Sequence, residues 1–513
     1  MITLGRARLF LPRGSTPAQR AAWRRQMASA LGYADLAPRG LPPHAVLIVR
    51  RLPDPLPGLL LKGVAWRAGD RWGDAARAEL ERLWRRALRP ALSPVPADAE
   101  AVWFADMAEY LACLTLDFYH GVAQLRWWWQ LRLQAPRLRQ AAAPLTAVWQ
   151  DEARWLPAAL AFLHEHSPVS VAAILNKLPA YEMQPIRRGV LQAHGLPQAL
   201  LEETFGTPAW YAWIPNPEKL GGLAPETQAT AVLVLAAYYA PAALRQYARR
   251  APIVDRAEQV RHSPIRPGPP VIPPGEATPA VPPPARAQPL KRDTPCAVPA
   301  AARAPGTADP PRDRQTGAPA SELQEHMLES QAAPSAPAPE TTGATPASTP
   351  PAQARAPGVQ GMTERPEGWR TALGGAWLLT NLLVALDLLQ GDLSPWLKLE
   401  VLARRLLVNP PGDDPVWAVL AELQGPERTP QALALAGRWL STVWPVIEAW
   451  LLERMEEASL TALVKPAHMY VTRAHIDVMF RIEDIDLGLR MSGLDRDPGW
   501  VPEIARVIRF HFE

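Results

Sequence analysis

AHIDVMFRIEDIDLGLRMSGLDRDPGWVPEIARVIRFHFE, residues 474–513, is the stretch that decides the fold prediction. Apolar residues alternate with polar or mixed ones over residues 476–482 and again over residues 485–491. This period of two is typical of strands with one buried face. A third alternating run, residues 507–512, follows a turn-rich segment in which Trp500 is a large apolar anchor. The stretch therefore predicts a three-stranded antiparallel β-meander whose apolar face packs on helices elsewhere in the chain.

The rest of the chain predicts two helical domains and a long linker. Apolar residues recur at helical spacing in residues 1–255, which indicates a mainly helical domain with short strands near its start. One long helix is expected over residues 97–119. Residues 256–366 contain no Phe, Tyr or Trp and are rich in Pro and Ala, so they predict a disordered linker. Residues 367–513 form a second helical domain that ends in the meander, and the fold class is mainly α with minor β.

Composition and charge narrow the class of protein. The chain has 513 residues, a formal net charge of +4 and two cysteines, which fits a multidomain protein of a reducing compartment without a disulfide framework. Its basic residues are mostly arginine in a sequence also rich in alanine and proline, a bias that GC-rich coding explains without a nucleic-acid partner. The N-terminus lacks the apolar core of a signal peptide, so a cytoplasmic location is expected.

An apolar run at residues 374–389 raises the question of a membrane span. The run is shorter than the about 20 residues that cross a bilayer, and it contains Asn381 and Asp387. We therefore expect a buried helix of the second domain and no membrane span.

The sequence contains none of the common catalytic or cofactor-binding motifs, such as GxxxxGK[ST], GxSxG, HExxH or CxxC. His164 and His166 lack further ligands at zinc-site spacing, and two positions apart on a helix they point to different sides. Four aspartates between residues 484 and 497 lack the twelve-residue calcium loop. No catalytic residue, cofactor or metal is predicted.

Three consecutive tryptophans, Trp127, Trp128 and Trp129, lie between two arginines in the N-terminal domain. Three neighbouring indoles cannot all face one side of a helix, so at least one is expected to be exposed or to pack on another element. Aromatic rings beside arginine also hold single-stranded nucleic acid, but no RNA-binding motif surrounds this run. We therefore interpret Trp127, Trp128 and Trp129, together with Trp500, as candidate protein contacts or structural anchors.

Several short motifs occur in an order that resembles a bacterial family. In the C-terminal half they are Gly374-Gly375 leading into Trp377 to Leu383, Asp414 to Trp417, His475 to Val478, Gly493 to Pro502 and Arg509 to Phe512. In the N-terminal half they are Phe104 to Asp106, Glu109 and the run at Trp127. The family consists of uncharacterised proteins associated with gene clusters for extracellular contractile injection systems, which are phage-tail-like particles. The resemblance covers both predicted domains and implies a location in a pathway, without functional residues to carry over.

We therefore expect a non-enzymatic assembly, accessory or scaffold protein of such a particle, which acts through contacts with other proteins. One alternative is an enzyme whose site is dispersed in sequence. Asp387, expected to be buried in its apolar helix, would then have a perturbed pKa. Another alternative is a cargo or toxin component of the particle. A pocket that joins Asp387 to a second titratable group would favour the enzyme, and a solid helical core would favour the scaffold.

Overall fold

The computed structural model describes most of both predicted domains. The described residues are 16–57, 59, 66–141, 143–166, 168–201, 211–249, 368–407, 411–425, 428–455, 463–484 and 486–513. The predicted linker, residues 256–366, lies outside them. We call residues 16–249 the N-terminal segment and residues 368–513 the C-terminal segment.

The N-terminal segment is mainly helical, as the sequence predicts. Its α-helices are α1 (Pro17–Tyr33), α2 (Trp66–Arg86), α3 (Met107–Tyr119), α4 (Trp127–Leu133), α5 (Pro136–Gln140), α6 (Pro144–Asp151), α7 (Leu156–His166), α8 (Pro168–Asn176), α9 (Met183–Ala193), α10 (Pro225–Tyr239) and α11 (Pro241–Arg249). Two antiparallel strands, β1 (Val46–Val49) and β2 (Ala101–Phe104), form a small sheet.

The expected single helix over residues 97–119 is wrong in its first part. Residues 101–104 pair with β1 as a strand, so the chain is extended there. The helix α3 begins only after Asp106, whose side chain accepts a hydrogen bond from the Glu109 backbone N–H at 2.8 Å. This cap satisfies one of the free N–H groups at the start of the helix and fixes where it begins.

The C-terminal segment combines helices with a five-stranded sheet. The helices are α12 (Leu379–Ala385), α13 (Pro395–Leu406), α14 (Pro415–Gln424), α15 (Pro430–Arg454) and α16 (Leu487–Ser492). The strands are β3 (Trp369–Thr371), β4 (Ala467–Val471), β5 (His475–Phe480), β6 (Gly499–Val501) and β7 (Arg506–Phe512). The apolar run that begins at Gly374 is buried only in its first part, because Val384, Ala385 and Asp387 are exposed, and it starts as a 3₁₀ turn before α12. A Cβ atom on Gly375 would overlap the backbone of Leu463, so only glycine fits at that position.

The predicted three-stranded antiparallel meander is wrong. The strands at residues 475–480 and 506–512 exist, but they pair in parallel in a sheet of order β3-β4-β5-β7-β6. The middle strand, expected over residues 485–491, is replaced by α16. Asp486 accepts a hydrogen bond from the Leu489 backbone N–H at 3.1 Å at the start of α16, and Gly493 ends the helix in the left-handed conformation. These two end signals outweigh the alternating pattern between them.

Each segment has its own main hydrophobic core. In the N-terminal segment the core centres on α3, α7 and α10, and in the C-terminal segment it lies between the helices and one face of the sheet. The described residues of both segments nevertheless group into one compact unit. The division into two domains, residues 1–255 and 367–513, stays a prediction.

Candidate functional site

The face of the five-stranded sheet that points away from the C-terminal core carries polar and aromatic residues. Met469, Val478 and Ile508 pack into the core on one face. Because side chains alternate along a strand, their neighbours point to the other face. There the cross-strand rows are Tyr470, Asp477 and Arg509, then His475, Val507 and Trp500. Part of this second face contacts the N-terminal segment, and these contacts form the candidate site.

Asp477 lies at the centre of this contact. Its side chain is 0% exposed, and its two carboxylate oxygens accept hydrogen bonds from His44 Nδ1 and His511 Nε2, each at 2.7 Å. His44 is buried and belongs to the N-terminal segment, whereas His511 is partly exposed on β7. Burial raises the pKa of the Asp477 carboxyl, but the two histidine hydrogen bonds outweigh burial and hold that pKa below its ordinary value. The carboxylate is therefore charged and fully paired at neutral pH.

Asp106 makes a second buried link between the segments. The same carboxylate that caps α3 accepts a hydrogen bond from the Ala474 backbone N–H at 3.2 Å. Burial raises the pKa of Asp106, while the nearby His475 and a hydrogen bond from Thr472 lower it, and the balance lies below the ordinary value. One side chain thus fixes the start of a helix in one segment and a turn in the other.

A row of stacked rings extends the contact. His475 stacks between His44, at 5.8 Å between ring centroids, and Trp155, at 4.8 Å. Trp155 meets Trp500 edge to face at 6.1 Å, and Trp500 meets His194 in the same way at 5.0 Å. Rings from the two segments alternate along this row, so neither segment completes it alone.

Two histidines of this row are held neutral. Burial lowers the pKa of His475 and the pKa of His194 to about 4 each. Among the described residues, His475 Nδ1, His194 Nε2 and Trp500 Nε1 have no hydrogen-bond partner. Buried polar atoms without partners destabilise a contact. The stabilisation of this contact must therefore come from the packing of the apolar ring surfaces.

Ion pairs lie around the buried part. Arg473 binds Glu165 at 2.6 Å between Nη2 and Oε2, and Arg245 lies 3.8 Å from Glu503. Arg506 Nε donates to two backbone oxygens of the turn between β4 and β5, at 3.2 and 3.1 Å. The first two pairs join the segments directly, and Arg506 holds the turn that carries Arg473.

The predicted tryptophan sites have mixed surroundings. Trp129 is fully buried, donates its Nε1 proton to Asp117 Oδ2 at 2.7 Å and packs on Phe104. Trp128 is also buried, and Trp127 is half-buried with the Arg50 guanidinium 5.9 Å from its ring centroid. Trp129 is thus an anchor of the core, and Trp127 is the member of the run with the most accessible surface. Trp500 is half-buried and anchors the sheet to the N-terminal segment.

The expectation that Asp387 is buried is wrong. Asp387 is exposed just past the end of α12, with a φ of 54°, and binds the Gln390 amide. The helix ends before this residue, so its carboxylate does not enter the core. The buried group nearby is Lys398, whose ammonium donates to the backbone oxygens of Leu388, at 3.1 Å, and Gln390. Burial lowers the pKa of Lys398 to about 8.

His164 and His166 each use one ring nitrogen in a hydrogen bond to a backbone oxygen. His164 Nε2 bonds the Pro215 oxygen at 2.6 Å, and His166 Nδ1 bonds the Phe162 oxygen at 2.8 Å. In the part of the chain that the structure describes, no group of three or more His, Cys, Asp or Glu side chains could hold a metal ion. A concavity of about 330 Å³ lies elsewhere, beside Arg137, Thr146, Gln150 and Glu182. It includes none of the residues that link the segments.

Helix length bears on the membrane prediction. Among the described helices no single one is both long and apolar enough to cross a bilayer. The helices α10 and α11 reach that length and composition only as a pair, with a bend of 114° between them.

Sequence reasoning missed the residues that join the segments. His475 and Asp477 occupy the polar positions of an alternating strand, which predicted a solvent-exposed face. The only sign of their burial in the sequence is weak: both residues lie among large apolar neighbours. No family model, no curated protein and no solved structure matches this chain.

Proposed function

We propose that this protein is a non-enzymatic assembly, accessory or scaffold protein of a contractile injection particle and that it acts by binding other proteins. One observation supports the proposal most. The residues that resemble the particle-associated family build the body of the protein or join its two segments. The motif residues thus stabilise the fold. This fits a protein that acts by binding partners on its surface.

Motif residues of the C-terminal segment have structural roles. Gly375 fits where any side chain would overlap the backbone of Leu463. Asp414 caps α14 by accepting from the Val416 backbone N–H at 2.9 Å. Its carboxylate also accepts from the Ala372 backbone N–H at 2.8 Å and from the Thr371 hydroxyl. Asp414 therefore ties the edge strand β3 to the helical layer.

The motif residue Asp106 binds across the interface, and other motif residues bind within their own segment. Asp106 accepts from the backbone of Ala474, next to the motif that contains His475 and Asp477. Asp477 in turn binds His511, which belongs to the last motif. Glu109, from the N-terminal part of the resemblance, forms a buried ion pair with Arg89. These contacts give motif residues from both segments a shared structural role.

The proposal includes a cytoplasmic location and a flexible linker over residues 256–366. The described residues on either side of that stretch, Arg249 and Gly368, belong to one compact unit.

Deletion of the gene in the source cells, followed by complementation, tests the proposal. We expect fewer or misassembled particles by electron microscopy in the deletion strain and normal numbers when the full chain is restored. Mass spectrometry of purified particles then separates the roles: a fixed stoichiometry indicates a structural component, and absence indicates an assembly factor. Normal particles in the deletion strain would overturn the proposal of an assembly role. Delivery of the protein into target cells would instead show cargo.

A further inference from the structure

The helix α15 lies on the surface of the C-terminal segment and has one well-packed face. It is 25 residues long, and it packs mainly on α13. Its buried side chains are Ala436, Leu440, Ile447, Trp450 and Leu451. The opposite face has no described neighbour that buries it.

That opposite face carries large apolar side chains. Leu435 is 46% exposed, Val446 is 55% exposed and Leu452 is 78% exposed. Small or compact residues, Thr442, Pro445 and Ala449, lie between them and are also exposed or half-exposed. Large apolar side chains that share one exposed face of a helix offer a surface on which a partner helix can pack. Small residues between larger ones also allow another helix to approach closely.

Three charged residues on the same face lack partners. Arg438, Glu448 and Glu453 are exposed, and none forms an ion pair within the described parts of the chain. Arg438 is about 15 Å from Glu448 and about 22 Å from Glu453 along the axis, because each residue adds 1.5 Å. They therefore cannot pair within one helix. Glu453 is also next to the C-terminal end, where the helix dipole disfavours a negative charge.

We propose that this face of α15 is a self-association surface, on which a second copy of this chain packs its own α15 in the antiparallel direction. The order of residues supports this direction. About a twofold axis between residues 443 and 444, Leu435 of one copy lies opposite Leu452 of the other. Arg438 lies opposite Ala449, next to Glu448 and Glu453. A parallel pair would instead place like charges side by side.

Twofold symmetry makes each of these contacts occur twice. The exposed apolar residues then pack at the centre and ends of the helix pair, while the arginine and glutamates meet at its sides. The proposal does not rest on the proposed function, because self-association is measured on the purified full chain without particles.

Sedimentation equilibrium of the full chain tests the proposal. We expect a mass of twice the 56.3 kDa of one chain at concentrations up to about 100 μM. Leu452→Glu should weaken association about tenfold or more, since it places a charge in the apolar contact. Leu125→Glu is the matched control, because Leu125 is also 78% exposed but belongs to the N-terminal segment, and it should leave association unchanged.

A charge exchange tests the antiparallel direction. Arg438→Glu alone, and Glu448→Arg with Glu453→Arg, should each weaken association about tenfold. The three substitutions together should restore it, because the opposite charges then meet again. A wild-type chain that stays monomeric over this range, or a triple variant that stays as weak as the single ones, would overturn the proposal. Circular dichroism confirms that each exposed substitution leaves the fold intact.

Discussion

His44 Nδ1 donates a hydrogen bond of 2.7 Å to Asp477 Oδ2 across 433 positions of sequence, and both side chains are buried. This bond and its counterpart from His511 leave no oxygen of Asp477 unpaired. Removing the charge of a buried, fully paired carboxylate weakens the hydrogen bonds that its partners make. At a buried site, water cannot replace these hydrogen bonds. Loss of this carboxylate should therefore weaken the interface between the segments.

Asp477→Asn tests that dependence. An amide keeps the shape but offers one acceptor oxygen, and its NH₂ group faces a histidine that also donates. We expect a loss of about 3 kcal/mol in the free energy of unfolding, in the range for breaking a buried pair. Chemical denaturation at pH 7.5 measures it. Asp387→Asn is the control, because Asp387 is exposed and asparagine tolerates its positive φ. Equal stability of the two variants would contradict the assigned role of Asp477.

Acid should weaken the protein in two stages. In the folded chain the pKa of His475 and that of His194 lie at about 4, below the ordinary 6.5. Between pH 6.5 and 4 the unfolded chain therefore binds more protons at these two histidines than the folded chain does. The contribution of these two histidines should therefore be full above pH 6.5 and be lost as the pH drops towards 4. Below that, Asp477 and Asp106, whose folded pKa values are lowered, lose the stabilisation of their charged forms.

Denaturation at a series of pH values measures this slope. His194→Gln should flatten the curve between pH 6.5 and 4, since it removes one of the two groups that take up a proton on unfolding. His120→Gln replaces an exposed histidine and should leave the slope as it is. An identical slope for wild type and His194→Gln would show that His194 is not held neutral.

Trp500→Ala should lower the melting temperature, because the indole fills the space between Trp155 and His194. We expect a loss of about 2 kcal/mol, less than for a fully buried tryptophan. Trp500→Phe should retain most of the stability, since Trp500 Nε1 has no partner among the described residues and only the ring surface is needed. Differential scanning calorimetry compares the three proteins, and an unchanged transition for Trp500→Ala would remove Trp500 from the interface.

Cleavage of the chain should leave the two segments together. A protease site placed between residues 265 and 357 lies outside the compact unit that contains both segments. After cleavage we expect the two fragments to elute together in gel filtration, held by the buried polar and ring contacts. In the Asp477→Asn background they should separate at lower denaturant concentration. Fragments that separate in plain buffer would show that the segments are independent domains joined only by the linker.

Local patterns predicted a mainly helical chain and the positions of β5 and β7, because these depend on neighbours in sequence. A short-range signal of this kind is Thr16 before α1, whose side-chain oxygen accepts a hydrogen bond from the Gln19 backbone N–H at 3.2 Å. The sheet order does not follow from such signals, since the pairing of β5 with β7 depends on a chain path through α16 and β6. The alternating pattern at residues 485–491 predicted a strand. Such a pattern reflects only the spacing of apolar residues and takes no account of the helix caps at Asp486 and Gly493.

The interface could not be predicted for a related reason. In an alternating strand, polar and apolar residues follow one another, and the usual reason is that only the apolar face is buried. In β5 the polar face is buried as well, because a second segment supplies His44, Asp106 and Trp155 to cover it. Nothing near His475 or Asp477 in sequence signals partners more than 300 residues away.

That separation has a consequence for synthesis of the chain. A ribosome adds about 5 to 20 residues per second, so His44 emerges roughly 20 to 90 s before Asp477 is made. Once the rest of the N-terminal segment has been made, it has a surface of histidine, tryptophan and aspartate side chains that no later strand yet covers. The contact between the segments therefore forms only after β5 and β7 are complete.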